Sequence, residues 1–415
     1  MPIHQFFVLV GCLILAALMR YLSGPLRIPA VFLHLLIGIG LGLFLKSGLA
    51  GDELAFLQNG ASLESFKLIG WLGMLLLMAL GTTEDKQYTG SGGWLQVSSI
   101  SIMGFGGTFL VASLLGLGIS RLQPNLMGVL ANPLIFSFAI GLACAVTALP
   151  VLVSLLHEHD QHQSKIGRLA IRVAVFDDLW LWLVLIVVLG MVSQHANPAL
   201  HLLKVCAFVG CVLFVLKPSL RYLYKKLPNL KPANRIIMGL SLIVMMAMAS
   251  EVIGTHALFG AFLTGLILPA PALKFLKERL LSFSQILLLP FFFITTGIHV
   301  NLFFDSSSFI FLAALFIFAG IALKIFFVSV AARVSGLSWT ESVELGTLLQ
   351  CKGLMEIVAL GLLYEAQIIG PQIFSALIVM ALFCTVATLP LRSCVIWLRH
   401  ARSHAAPVLH SQLEL

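Results

Sequence analysis

Long apolar stretches, each bounded by short polar or Pro/Gly-rich segments, recur along the whole chain. Stretches of roughly 17–25 apolar residues are long enough to cross about 30 Å of hydrocarbon as helices. The pattern predicts about thirteen such helices. They cover residues 4–20, 29–46, 66–82, 97–119, 134–156, 168–193, 200–217, 235–253, 256–269, 281–298, 308–330, 342–365 and 372–397. The stretch 256–269 is short and ends in Pro269-Ala270-Pro271, so it is either a half-length span or fused to its neighbour. Two predicted helices are interrupted. One, near 134–156, carries Ala145-Val146-Thr147-Ala148-Leu149-Pro150 at its middle; the other, near 342–365, carries Gln350-Cys351-Lys352-Gly353. They are the fifth and twelfth in order, seven helices apart, and an odd separation makes them cross a bilayer in opposite directions. Interrupted helices at matching places in oppositely oriented halves point to an inverted-repeat transporter with its site near the midplane. The competing reading is a simple kink at Pro150 and close packing at Gly353.

Composition sharpens this picture. The chain of 415 residues is 60% apolar and 10% charged, so the bilayer must be its main solvent. The expected fold class is an all-α polytopic membrane protein. Its transport domain covers residues 1–400, and residues 401–415 form a short cytoplasmic tail. The N-terminal stretch lacks the basic region of a signal peptide and reads as the first membrane helix. The net charge of +8 reflects orientation rather than nucleic-acid binding. With the N-terminus outside, eighteen Lys and Arg fall in inside loops and four outside (Lys46, Lys67, Arg121 and Lys204). That is the bias expected of cytoplasmic loops. The seven Cys have neither zinc-ligand nor disulfide-framework spacing and read as small buried hydrophobes. The absence of a targeting presequence fits a bacterial inner membrane.

Three basic residues remain, all inside spans: Arg172, Lys324 and Lys352. Arg172 lies near the cytoplasmic end of its span and reads as snorkelling. The sixth span also holds Asp177 and Asp178 side by side in an apolar run. Ionised carboxylates at the bilayer centre cost several kcal/mol and need partners, protons or a water-filled cavity. Consecutive helical residues point about 100° apart, so one Asp can meet a neighbouring helix while the other faces a cavity. A carboxylate held between burial and a nearby cation can exchange a proton for a metal cation, which is the minimum machinery of an antiporter. Lys324, deep in the eleventh span, has Asp177 as its obvious partner; the alternative is snorkelling. Lys352 and Ala148 stand at the helix breaks, where half-helix dipoles and unwound carbonyls meet. Thr147 offers a hydroxyl there, unless it bonds back to its own helix. Glu251 and Glu356 read as supporting or structural groups. His157, His159 and His162 lie in a cytoplasmic loop and read as solvated, with pH sensing or metal binding as the competing roles.

At these residues the chain resembles the monovalent cation:proton antiporter-2 family, which includes the plant cation/H⁺ exchangers and bacterial relatives. The matching segments run through most of the chain in order. They include Ile28-Pro29-Ala30-Val31 with Gly38 to Gly42, Leu149-Pro150-Val151-Leu152, Gly167-Arg168-Leu169-Ala170 leading to Asp177-Asp178, His256 to Phe262, Pro290 to Gly297, and Lys352-Gly353-Leu354-Met355-Glu356. The resemblance implies an inverted-repeat antiporter fold with two crossed discontinuous helices, a dimer-forming scaffold and a mobile core. It implies that Asp178 is the ion carboxylate and the ligand of the transported metal cation. It further implies that Asp177 is Asp in some branches and Asn in others, and that Lys324 pairs with it in a typically electrogenic branch. Thr83 departs from the Glu common at that position. No nucleotide-binding domain follows the membrane part, so gating of the glutathione-regulated type is not expected. The expected function is exchange of Na⁺ or K⁺ for H⁺ by a homodimer that needs no cofactor. An organic-anion/Na⁺ symporter with a similar core is the alternative. An intramembrane aspartyl protease is disfavoured, because adjacent aspartates on one helix point apart. A channel would share the charges without the coupling.

Overall fold

The computed structural model describes residues 30–46, 60–81, 93–158, 164–192, 198–226, 231–300 and 307–410, with a few isolated positions before residue 22. The predicted helix 4–20 lies almost wholly outside them, as do Thr83, His159 and His162. Among the described residues every regular element is helical, apart from an isolated bridge between Met127 and Ile369. In chain order the helices are α1 (Ala30–Lys46), α2 (Gly60–Gly81), α3 (Trp94–Leu122), α4 (Pro133–Ala145), α5 (Leu149–Glu158), α6 (Lys165–Val192) and α7 (Pro198–Cys211). Then follow α8 (Lys217–Lys226), α9 (Pro232–Ile253), α10 (Ala257–Ile267), α11 (Ala270–Leu276) and α12 (Leu289–Ile298). The last are α13 (Ser307–Val334), α14 (Trp339–Leu349), α15 (Leu354–Glu365) and α16 (Pro371–His410). Seven of the helical stretches are long and apolar enough to cross a membrane, among the described residues. The protein is an integral membrane protein.

Three boundaries differ from the sequence pattern. The helix predicted to end at 217 continues through a π-turn (Val212–Leu216) into α8. Lys217, Arg221, Lys225 and Lys226 therefore stand on a helix and not in a loop. Hydropathy averages hide such an extension, whereas its period does not: Leu220, Leu223 and Tyr224 recur at helical spacing and line one groove. Similarly, α11 begins just after Pro269 and runs through two π-turns (Lys277–Leu281 and Ser284–Leu288) into α12. Here Pro271 sits in the first turn, where its missing N–H costs nothing. At the C-terminus, residues 401–410, expected as a tail, belong to α16.

The chain divides into two compact units, each assembled from two separate segments. Unit 1 comprises Met1–Lys86 with Leu189–Leu302, and unit 2 comprises Gln87–Val188 with Phe303–Leu415. In unit 1, α12 packs on α1 and α2. The approach of α1 to α12 requires glycine on both sides. A Cβ on Gly38 would overlap the Ile294 carbonyl, and one on Gly297 would overlap the Leu35 carbonyl. Ser284, buried in the second π-turn, donates to the Gly73 carbonyl at 2.7 Å. In α9 the chain enters at Pro232 and leaves through left-handed Gly254, φ 89°. His256 and Glu251 then cap α10: His256 Nδ1 accepts from Leu258 N at 3.2 Å, and Glu251 Oε1 from Ala257 N at 3.0 Å.

Unit 2 repeats one order of elements: a long helix, a broken helix and a long helix. The first set is α3, α4/α5 and α6; the second is α13, α14/α15 and α16. One apolar cluster locks five of these helices together. It includes Val97 and Ile100 of α3, Leu152 and Leu156 of α5, Val173 and Ala174 of α6, Val328 and Ala331 of α13, and Leu345 and Leu348 of α14. Close packing of these side chains, rather than their removal from water, holds the frame, and that frame fixes the position of the helix breaks.

The polar end of α14 carries a capping box. Ser338 Oγ accepts from Glu341 N at 3.3 Å, and Glu341 Oε2 accepts from Ser338 N at 3.0 Å. Glu341 also accepts from Lys165 Nζ of α6 at 3.1 Å. Its hydrogen bond with the Ser338 backbone, followed by the bond with Lys165, lowers its carboxyl from an ordinary 4.5 to about 2. A depressed carboxyl stabilises the fold fully above pH 4.5, and that contribution is lost as pH falls towards 2. Glu341→Gln therefore costs about 1 kcal/mol at neutral pH, read as a lowered unfolding midpoint in detergent. The gap between variant and wild type closes as the measurement is moved down to acid pH.

Candidate functional site

Both breaks expose helix ends in the middle of unit 2, and every local feature of the site follows from satisfying them. A helix leaves its last four carbonyls without intrahelical partners, and within hydrocarbon there is no water to take their place. At the end of α4 two lysines meet this need. Lys352 Nζ donates to Ala143 O at 2.8 Å, Cys144 O at 2.7 Å and Val146 O at 2.9 Å. Lys324 Nζ donates to the remaining carbonyl, Ala145 O, at 2.6 Å. Cations at a helix C-terminus also complement its dipole.

The second break is closed by neutral donors. Ala148 N donates to Cys351 O at 3.0 Å, which ties the two breaks directly together. Thr385 of α16 donates to the Lys352 carbonyl. Gln350 Nε2 reaches Cys384 O at 3.0 Å and Thr388 Oγ1 at 2.7 Å. Gly353 is extended, and a Cβ there would press on Val151 at 2.6 Å and Ala148 at 3.0 Å. Its lack of a side chain is what lets the two breaks approach.

Asp177 joins this frame to α6. Its Oδ1 accepts from Ser101 Oγ at 2.6 Å; its Oδ2 accepts from Lys324 Nζ at 2.7 Å and Thr147 Oγ1 at 2.8 Å. Thr147 Oγ1 also lies 2.7 Å from Leu349 O. One hydroxyl proton thus has two acceptors within reach, one on α6 and one at the end of α14. Lys324 is fully buried and sits 5.7 Å from the Phe105 ring. Asp178, one residue on, is equally enclosed at 4% exposure, yet its Oδ1 has no hydrogen-bond partner. Two adjacent carboxylates therefore occupy opposite chemical situations. The first is saturated with three donors, and the second presents a bare oxygen.

The structure thus brings Asp177, Thr147, Lys324, Ala148 and Lys352 into one hydrogen-bonded assembly, with Asp178 beside it. Glu356 is buried with neither carboxylate oxygen hydrogen-bonded, and its Oε2 lies 3.9 Å from Lys352 Nζ. Glu251 is exposed at the end of α9 in unit 1, where it caps α10. Arg172 stacks on Trp94 at 5.8 Å. Participants that escaped the sequence reading include Ser101, Thr385 and the carbonyls from Ala143 to Val146. A carbonyl leaves no trace in a sequence. Ser101 left a faint one, since it falls on the buried stripe of α3 with Val97, Gly104, Phe105 and Thr108.

Among solved structures, the sodium proton antiporter MjNhaP1 of Methanocaldococcus jannaschii shares this fold, with a TM-score of 0.65 over 95% of this chain and 96% of that one, at 17% identity. The family described as "Sodium/hydrogen exchanger, transmembrane" matches residues 13–396. The chain belongs to that family. It is 27% identical to Cation/H(+) antiporter 18 of Arabidopsis thaliana over 92% of this chain and 48% of the relative. It is also 27% identical to Na(+)/H(+) antiporter NhaS4 of Synechocystis, over 91% of this chain and 93% of the relative. K(+)/H(+) antiporter 1 of Saccharomyces cerevisiae is 30% identical over 63% of this chain and 31% of its own length. The chain spans about half the length of the plant relatives it matches.

Removing Lys324 leaves Asp177 as an uncompensated buried charge. Lys324→Ala is expected to cost about 3–5 kcal/mol, read as a lowered melting midpoint in detergent. Asp177→Asn combined with Lys324→Met restores most of that loss, because both charges leave together.

Proposed function

We propose that the chain is a secondary antiporter exchanging a monovalent cation, Na⁺ or K⁺, for H⁺. The observation that carries this reading is the contrast within the carboxylate pair: Asp177 is saturated by Ser101, Thr147 and Lys324, while the neighbouring buried Asp178 keeps an oxygen without a partner. An ionised carboxylate stripped of donors is costly in a low-dielectric interior. Either a bound proton or a bound cation relieves that cost at Asp178, and the two exclude each other. Mutual exclusion at one site is sufficient for exchange. Membership of the sodium/hydrogen exchanger family, and the names of the relatives, support the same activity.

In this mechanism the entering cation is the substrate, and Asp178 is its carboxylate ligand. Its positive charge weakens the hold of Asp177 on Lys324, so the lysine can release Asp177 to the site and carry charge balance in its absence. Such a cycle moves net charge and is electrogenic. Thr147 can follow the change, because its hydroxyl has the Leu349 carbonyl as a second acceptor. Lys352, Ala148 and Glu356 hold the breaks and set the field there. Glu251, with its capping bond in unit 1, is assigned a structural role. The full reading includes about thirteen spans, two crossed broken helices related by an inverted repeat, an outside N-terminus, a cytoplasmic C-terminus and a homodimer in a bacterial inner membrane. The twofold order of long, broken and long helices in unit 2 supports the repeat. The basic-residue distribution supports the orientation. An organic-anion symporter has no use for the saturated Asp177–Lys324 pair, and none of the relatives named above is one.

The test uses proteoliposomes with an imposed pH gradient and a pH-sensitive dye. Addition of Na⁺ or K⁺ is expected to dissipate the gradient, at a rate that changes with an imposed membrane potential. Asp178→Asn, which keeps shape but removes the charge, is expected to reduce that flux to the level of empty vesicles while the protein remains folded. Undiminished flux in this variant would remove Asp178 from the mechanism.

A further inference from the structure

An aromatic ring stands beside the buried ion pair of Asp177 and Lys324. Phe105, itself buried, lies on α3 one turn after Ser101, which donates to Asp177. Its ring centroid is 5.7 Å from Lys324 Nζ. One helix thus sets a donor against the carboxylate and a ring against the ammonium. Small residues make this possible. A Cβ on Gly104 would meet Val328 Cγ2 at 2.7 Å, and one on Gly107 would overlap the Phe327 ring. Both glycines let α3 lie close against α13, and that approach brings Phe105 to Lys324. The ring is held in place by its own neighbours. It stacks on Phe109, with centroids 6.2 Å apart, and on Trp180 of α6 at 6.4 Å.

An ammonium has three protons to give. Here one goes to Ala145 O at 2.6 Å and one to Asp177 Oδ2 at 2.7 Å. A buried cation that loses its carboxylate is strongly destabilised, and one carbonyl does not replace a full negative charge. Lys352 caps the same helix end, so like charge opposes any shift of Lys324 towards it. The Phe105 ring is the group placed to make up the difference. An ammonium paired with a carboxylate presents little net charge to a ring, whereas a freed one presents its full charge. The attraction therefore grows as the pair opens, and it is strongest where water is excluded. A contact that strengthens only in the opened state favours that state.

We propose that Phe105 is a positioning residue of the exchange cycle. Its ring takes the Lys324 ammonium when an entering cation parts the lysine from Asp177, and so raises the affinity of the site for that cation. The role within the cycle rests on the antiporter reading; the hold of the ring on a lysine deprived of its carboxylate does not.

The test replaces Phe105 by mono-, di- and trifluorophenylalanine, which keep the shape of the ring and drain its face of electrons. In proteoliposomes, the Na⁺ or K⁺ concentration for half-maximal exchange is expected to rise with each fluorine. The rise reaches about 10-fold for the trifluoro ring, while the maximal rate stays nearly constant. Phe105→Leu, which removes the ring, is expected to raise it at least as far. Melting midpoints in detergent give a second reading that needs no transport. The trifluoro ring is expected to lower the midpoint of Asp177→Asn, and to leave unchanged that of the wild type and of Asp177→Asn with Lys324→Met. A half-maximal concentration that ignores the fluorine series, in a protein that exchanges, overturns the proposal and leaves the antiporter standing. Equal midpoint shifts in all three backgrounds reduce Phe105 to packing and overturn it too. A wild type that exchanges no cation removes the antiporter, and with it the role in the cycle. The melting series then still decides the hold of the ring on Lys324.

Discussion

A helix that stops inside a membrane must find donors for its last carbonyls, and the architecture of unit 2 follows from how α4 finds them. Each unsatisfied polar group buried in the protein interior costs several kcal/mol. The chain uses two ammonium groups for the four carbonyls from Ala143 to Val146, three bonded to Lys352 and one to Lys324. A pair of buried cations cannot stand alone either. Asp177 balances Lys324 through a 2.7 Å ion pair, and Glu356 lies within 3.9 Å of Lys352. The helix break, the lysines and the carboxylates are therefore one problem in electrostatics, solved together.

That solution makes the assembly both rigid and switchable. Rigidity comes from the apolar cluster linking α3, α5, α6, α13 and α14, and from the direct bond between the breaks at Ala148 and Cys351. Switching capacity resides in groups that have a second partner within reach. Lys324 bonds a backbone carbonyl as well as Asp177, so losing the carboxylate does not leave its charge bare. Thr147 has acceptors on two elements and one proton to give. These alternatives lower the cost of rearrangement around Asp177, while Asp178 keeps a buried oxygen without a hydrogen-bond partner.

The same economy shapes unit 1 by different means. Its close helix approaches rest on missing side chains, as where Gly38 meets the backbone near Ile294. Small residues at such crossings are the membrane counterpart of a packed core, because lipid offers no hydrophobic drive between helices. Polar residues there cap helix ends, as Glu251 and His256 do for α10. Basic residues cluster on α8 and on α11 with the π-turn that follows it. The two units thus divide the chemistry, with buried ionisable groups concentrated in the one and a basic surface in the other.

The sequence alone settled what hydrocarbon settles residue by residue. Apolar length marked the spans, the cost of intramembrane charge singled out Asp177, Asp178, Lys324 and Lys352, and Pro150 and Gly353 marked the two interruptions. It misjudged the extents of α8, α11 and α16, because helical period outlasts hydropathy at those ends. The sequence pointed to Asp177 as the partner of Lys324 and, through the resemblance, to Asp178 as the ion carboxylate. Only the tertiary structure supplied the donors that make their surroundings differ. Their sequence surroundings are nearly the same, and what distinguishes them is contributed by α3, by α13 and by the break after α4. Ser101 lies 76 positions from Asp177, and Lys324 lies 147 positions from it. Hydrophobic burial is a local property that a sequence displays directly, whereas the partner of a buried charge is chosen by whichever distant helix the packing brings against it.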